Sequence, residues 1–299
     1  MVGVIYRMIL EGRKLAKGNN EQLKCRIDNK KLYTDILPGL CVIIVGNRDD
    51  SLLYVNMKKK ICNEIGINSK SIQLDENATT ENVIGVINVY NKDRSIHGIL
   101  IQLPLPKHID ENAVLTAINI NKDVDGFHAV NIGNLALAGR EPLFTPCTPL
   151  GCMRLLDSYD IDIQGKNAVV IGKSNIVGLP VSLLLMKKNA TVTVCHVYTK
   201  NLKDICQNAD IIVSACGQAE MIKGDWIKDG VVIIDIGINH TIDSNNPDKK
   251  KIVGDVDFQE CEKKASYITP VPGGVGPMTV SMLMENTYRA YCKFNNFTF

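Results

Sequence analysis

Apolar runs of strand length, alternating with amphipathic stretches of helix length, predict an α/β protein of two domains built on parallel sheets. Leu40–Val45 and Ile96–Ile101 are such runs in the first half, with helical stretches near Ser51–Ile65, Thr80–Tyr90 and Asp110–Ile118. A polar, helical opening precedes them. The second half repeats the alternation more tightly, with strands at Ala168–Ile171, Thr191–Cys195, Ile211–Ala215 and Val231–Ile236. A helix start divides the halves: Thr148 suits a cap, Pro149 the first helical position, and Gly151–Tyr159 continues it. The boundary is expected near residue 148, giving domains of 1–148 and 149–278 with a cleft between them. Apolar residues at helical spacing over Thr279–Phe294 predict a last helix that packs back on the first domain, so 279–299 is assigned there.

Composition narrows the function classes. The 299 residues are 45% hydrophobic and 22% charged, as in an ordinary globular enzyme. A net charge of +2, with dispersed lysines and arginines, gives no footprint for nucleic acid. The run Lys249-Lys250-Lys251 reads as a solvated loop after Asn245-Asn246-Pro247. Ten cysteines are scattered with no C-x-x-C pair, and no secretory signal opens the chain, so a reducing compartment is expected. Neither cysteines nor the five histidines cluster at metal-ligand spacing, and no metal is expected. No apolar run approaches the ~20 residues of a membrane helix. The opening Met1–Arg7 leaves room for the relic of a targeting segment, with few serines or arginines to support import. The expectation is a cytoplasmic protein, an organellar one not excluded.

The segment Ala168–Pro180 is a buried strand, a small-residue turn and a helix start. Glycines in such a turn let backbone N–H groups approach a pyrophosphate, and the helix start offers partial positive charge. Ser174 stands where the second glycine of G-x-G-x-x-G belongs, and Gly178 falls one residue late, so a plain β–α turn also accounts for the stretch. The next strand runs into Cys195-His196-Val197-Tyr198-Thr199 without an acid at its tip. A carboxylate there would grip a ribose 2′-hydroxyl and repel a 2′-phosphate; its absence, with Lys173 beside the first glycine, leans toward NADP.

Tyr54 and Lys58 lie four residues apart and share a face if their segment is helical. A lysine partly buried beside a tyrosine can serve as acid, base or electrophile. From spacing alone, a solvated face in the Lys58-Lys59-Lys60 run is the simpler account. Short-chain dehydrogenases also carry Tyr-x-x-x-Lys, but there it follows the nucleotide turn, whereas here it precedes it. Asp125-Gly126 reads locally as a turn, with Asp123 as a rival for any role; Pro272–Pro277 reads as a rigid loop, and Cys147 as a buried hydrophobe.

Several blocks stand together in one order. They are Val45-Gly46 leading to Ser51–Lys58, His97-Gly98-Ile99-Leu100-Ile101-Gln102-Leu103-Pro104-Leu105-Pro106, Lys122-Asp123-Val124-Asp125-Gly126, Thr145–Pro149, Gly172–Pro180 and Thr269–Thr279. Through them the chain resembles the bifunctional methylenetetrahydrofolate dehydrogenase/cyclohydrolase family from about residue 40 to the C-terminus. The resemblance implies a folate-binding first domain, a Rossmann-type second domain, a folate substrate, NADP (with NAD possible), and a homodimer serving one-carbon metabolism, including purine biosynthesis. It implies that Lys58 is the catalytic lysine, Gln102 the partner that orients it, Tyr54 the ring against the folate, and Asp125 the carboxylate on the pterin edge. Leu103, Pro104, Pro272, Gly273, Gly276 and Pro277 would complete the folate site. The cofactor would meet the Gly172 turn with Lys173, Ser174, Ile176, Val177 and Gly178, then His196 and Val197, Cys216 and Gly217, Ile238, Gly274 and Thr279.

Two departures bear on the cofactor. Many NADP-using members have an arginine where Lys173 stands, and Val197 replaces a residue that bonds phosphate in some. The competing readings are a dehydrogenase-only enzyme using NAD, a silent folate- or nucleotide-binding regulator, and an unrelated hydroxy-acid dehydrogenase. The last would need a reacting histidine or arginine and gives no reason for Gln102–Pro106; a silent relative would be expected to have lost a reacting residue. The chain is too short to add a formyltetrahydrofolate synthetase domain.

Overall fold

The computed structural model describes residues 7–243 and 246–299, which form two compact units. Met1 to Tyr6, where the sequence leaves room for a targeting relic, lie outside the described residues. One unit comprises Lys17–Cys147 and Val280–Phe299; the other comprises Thr148–Thr279 with the described residues up to Ala16. That opening segment departs from the expected division, because β1 (Met8–Ile9) pairs parallel with β11 (Tyr267–Ile268).

In the Lys17–Cys147 unit, β2 (Gly39–Val45) lies between β3 (Asn68–Leu74) and β4 (Gly98–Ile101) in a parallel three-stranded sheet. All seven residues of β2 are buried, as expected for a central strand covered on both faces. Cys41, Ile43, Ile99 and Ile101 pack there with Val83 and Ile87 of the helix Thr80–Lys92. That helix opens with a capping box, Thr79 accepting from Asn82 N while the Asn82 side chain accepts from Thr79 N. In the other unit, β5 (Asn167–Ile171), β6 (Thr191–Cys195), β7 (Ile211–Ser214) and β8 (Val232–Asp235) join β11 and β1 in a parallel sheet of order β1-β11-β8-β7-β5-β6. Val169, Ile171, Ile212 and Ile233 fill its core.

Three expectations need correction. The run Lys249-Lys250-Lys251 is not loop: β10 (Asn246–Val253) pairs antiparallel with β9 (Asn239–Asp243). The dividing helix starts at Cys147, not after Thr148, and the last helix starts at Val275. Gly276 and Pro277 therefore lie in a helical first turn, where proline's missing N–H costs nothing, rather than in a rigid loop. No described helix is long and apolar enough to cross a membrane.

His97 makes the Lys17–Cys147 unit acid-sensitive. It is 1% exposed, stands edge-on to Tyr291 and Phe294, and its Nδ1 accepts from Gly39 N at 3.0 Å. Burial pulls its pKa down to about 4, with Lys122 acting in the same sense. The unfolded chain then binds the extra proton first, so the contribution is complete above about pH 6.5 and is lost as pH falls toward 4. The residue should account for about 3 kcal/mol of acid destabilisation across that window. Denaturant unfolding from pH 7 to 4 checks this: His97→Asn should be less stable at pH 7 yet flatter in its pH dependence.

Candidate active site

The helix Asp49–Ile65 starts from an extended Arg48 and stops at Gly66, whose φ of 89° and N–H bond to Cys62 O form a left-handed cap. On this helix Lys58 is 9% exposed, whereas Lys59 and Lys60 face solvent, so the solvated-face account fails for Lys58. Tyr54, one turn earlier, is half-buried. Opposite stands Gln102, just past the carboxyl end of β4, its backbone N–H donating to Ile43 O at 2.8 Å. Its Nε2 donates to Leu103 O at 3.0 Å, which turns Oε1 toward the lysine; Lys58 Nζ donates to that oxygen at 2.9 Å. Leu103 is half-buried and Pro104 exposed, joined by a cis peptide.

Asp125 supplies the charge. Asp123 bridges to Ile99 beside β4, and the turn closes with Gly126 N donating to Asp123 O, so Asp125-Gly126 is a turn as its sequence suggests. Asp123 itself is committed: it is 1% exposed and accepts from Phe127 N, His128 N and Asn131 Nδ2. Asp125 is the carboxylate whose charge favours the ammonium form of Lys58. Burial pushes the lysine's pKa down and the aspartate's up, while their attraction opposes both shifts. A lysine so placed changes protonation readily and can exchange protons with a reacting group.

Sequence reasoning missed what holds this turn. Cys147, at 1% exposure, has its thiol 3.3 Å from Val124 O and against the Asp125 carboxyl, and burial raises its pKa well above the usual thiol range. It is a hydrogen-bonding thiol, not an activated nucleophile. Asn286 of the last helix also reaches this turn; the signal was a polar pair, Asn286-Thr287, at buried helical positions.

The nucleotide turn lies in the Thr148–Thr279 unit. Gly172 has φ of +115°, and a Cβ on it would fall 2.2 Å from Ala215 O. Gly178 begins the helix Gly178–Lys187; its own Cβ would lie 2.1 Å from Gly172 O. Helix and turn can thus approach this closely only with glycine at both places. Ser174, in place of the second fingerprint glycine, accepts from Val177 N at 3.2 Å and Gly178 N at 3.3 Å and so ties the turn to the helix start. Lys173 is exposed, and Ile176 and Val177 are half-buried. Such a turn fits a dinucleotide pyrophosphate. Past β6, His196 Nδ1 accepts from Tyr198 N, and Val197 is 80% exposed.

The remaining cofactor candidates follow strand ends. Cys216 and Gly217 come after β7, Gly217 at φ of +68°, and Ile238 lies exposed after β8. Buried Asp255 holds the β7 loop, accepting from Ser214 Oγ and from the N–H groups of Cys216, Gly217 and Gln218, with Asn239 Nδ2 a fifth donor. Asp255→Asn puts a donor among these donors and should cost about 3 kcal/mol in chemical denaturation. Farther on, Val271-Pro272 is cis, with Pro272 exposed; Gly273 has φ of +120° and accepts from Arg13 N, and Gly274 packs under Gly12. Thr279 Oγ1 lies 3.1 Å from Thr148 Oγ1.

Two family models match the chain. Residues 10–125 match the catalytic domain, and residues 146–295 the NAD(P)-binding domain, of tetrahydrofolate dehydrogenase/cyclohydrolase. The chain is 53% identical to the bifunctional protein FolD of Campylobacter concisus, over 94% of this chain and 96% of that one. It is 50% identical to the chloroplastic bifunctional protein FolD 4 of Arabidopsis thaliana, over 97% of this chain and 81% of that one. A crystal structure of the Trypanosoma brucei methylenetetrahydrofolate dehydrogenase-cyclohydrolase, complexed with NADP cofactor and inhibitor, superposes with a TM-score of 0.92 at 40% identity, covering 96% and 98% of the two chains.

Proposed function

Because the chain belongs to the tetrahydrofolate dehydrogenase/cyclohydrolase family, we propose that it oxidises 5,10-methylenetetrahydrofolate with NADP⁺ and hydrolyses the methenyl product to 10-formyltetrahydrofolate. The observation that carries the second activity is the buried Lys58 Nζ, 2.9 Å from Gln102 Oε1, with the Asp125 charge favouring its ammonium form.

In the oxidation a hydride leaves the methylene carbon, and the two flanking nitrogens stabilise the cation that remains. NADP⁺, when bound, supplies the hydride acceptor; the protein's task in this step is orientation. Hydrolysis needs proton transfers. Water adds to the methenyl carbon and gives a proton to neutral Lys58. The resulting ammonium protonates the ring nitrogen as its bond to carbon breaks, the hydroxyl becomes the formyl oxygen, and one proton is released overall. Gln102 holds the amine in reach, Asp125 accepts from the pterin edge, and Tyr54 covers the ring face.

Lys173 and the lack of a carboxylate at the tip of β6 support NADP over NAD. The side chain of exposed Val197 offers the 2′-phosphate no hydrogen bond, which favours modest selectivity. Steady-state kinetics with the two cofactors should show about tenfold higher kcat/KM for NADP⁺, abolished by Lys173→Gln, since one cation–phosphate contact is worth about 1.4 kcal/mol. Equal use of both by the unsubstituted protein would refute the NADP assignment. No reduction of either by folded protein would refute the enzyme reading and favour a silent binding protein. The reading extends to a homodimer, checked by light scattering, and to a cytoplasmic role feeding formyl groups to purine biosynthesis. Ten free cysteines support a reducing compartment.

A further inference from the structure

The strongest unused feature is a buried amide on the last helix whose hydrogen bonds leave its own helix. Asn286 is 2% exposed, between Leu283 and Tyr288, Ala290 and Tyr291, all buried. Its Nδ2 donates to Val124 O at 2.8 Å and Thr145 O at 3.1 Å, and lies 3.6 Å from Cys147 Sγ. One amide therefore ties two separate stretches, 123–126 and 144–147. Gly126 brings the same two together: at φ of +76°, its Cβ would fall 2.7 Å from Pro146 N and 2.8 Å from Phe144 O. Cys147 closes the group, its thiol against both Val124 O and the Asp125 carboxyl. A buried amide with two carbonyl partners is costly to replace, and hydrophobic packing alone would not call for one here.

We infer that Asn286 is a positioning residue for methenyl hydrolysis: with Cys147, it fixes the Val124–Asp125 peptide and so holds the Asp125 carboxylate in place. This rests on the proposed cyclohydrolase role of Lys58. The groups acting on Lys58 are Asp125 from the turn, Cys147 from the start of the dividing helix, and Cys62 from its own helix. Those acting on Asp125 are Lys58 and Cys147, with Asp123 next along the turn. Releasing the turn lets the carboxylate move from the amine and withdraws the attraction that favours the ammonium. The amine then titrates at lower pH, and the Asp125 contact with substrate loosens.

The test compares Asn286→Ala, Asn286→Ser and Cys147→Ala with the unsubstituted protein, measuring both activities from pH 5.5 to 9. Asn286→Ala should lower cyclohydrolase kcat about tenfold and move the acid limb of its pH profile to lower pH. Dehydrogenase kcat should fall less than threefold. Cys147→Ala should move the limb the same way, and Asn286→Ser, which keeps one donor, should recover part of the shift. If Asn286→Ala does not fold, the serine variant and Cys147→Ala carry the comparison. Equal losses in both activities with an unmoved limb would show a purely structural amide and overturn the inference, as would no loss at all. Absence of cyclohydrolase activity in the unsubstituted protein would instead overturn the reading on which it rests.

Discussion

Lys58→Gln should lower enzyme-catalysed methenyltetrahydrofolate hydrolysis by a hundredfold or more, within the 10²–10⁴ range of positioned proton transfer. The glutamine fits the helix face between Tyr54 and Cys62 and can still pair with Gln102, so folding should survive. It has no group that takes and returns a proton near neutrality. Hydride departure asks only for alignment, so methylenetetrahydrofolate oxidation should fall far less, about tenfold or under. In the unsubstituted protein, burial holds the Lys58 pKa below the ordinary lysine value. Hydrolysis should accordingly rise with pH as the neutral amine forms, and reach its plateau earlier than an exposed lysine would allow. Rates from methenyltetrahydrofolate, corrected for buffer hydrolysis, decide this; a variant with full activity would remove Lys58 from the mechanism.

Gly178→Val should have the opposite selectivity. Its first new carbon would stand 2.1 Å from Gly172 O, and backbone on both sides leaves nothing flexible to move. The helix must shift off the turn, pulling the N–H groups of Val177 and Gly178 away from Ser174 Oγ. Dehydrogenase activity should fall more than a hundredfold, mainly through cofactor KM. Methenyl hydrolysis, whose residues Lys58, Gln102 and Asp125 lie in the other compact unit, should stay within about threefold. Calorimetric NADP⁺ titration would show the loss directly; unchanged affinity would mean the turn does not carry the cofactor.

Strands β2, β4, β5, β7 and β8 were visible because strands covered on both faces become continuous apolar runs. β6 was visible too, although it is a largely exposed edge strand, because Thr191–Cys195 is rich in β-branched residues. β3 was not, since Asn68–Leu74 is an edge strand rich in serine and lysine with most positions toward solvent. β1 and β11 are two residues each, too short for any periodicity. The β9–β10 hairpin hid behind a lysine run that reads as loop. Within the site, the Lys58 choice was available: Val55, Cys62 and Ile65 stand three before, four after and seven after it, marking the buried face. Lys59 and Lys60 fall off that face. The Lys58–Gln102 pair came through resemblance, because 44 residues of chain separate its members. Asn286 and Cys147 were missed as site residues: the polar pair Asn286-Thr287 marked a buried polar position, but nothing in the sequence showed which carbonyls it would meet.

The measurement that bears most directly on a two-activity enzyme is a single time course from methylenetetrahydrofolate and NADP⁺, with reduced cofactor and the methenyl species followed separately. The account predicts reduced cofactor accompanied by 10-formyltetrahydrofolate, with methenyl held below its uncatalysed level. Methenyl accumulating mole for mole with reduced cofactor, and decaying only at the buffer rate, would contradict it and leave a dehydrogenase alone.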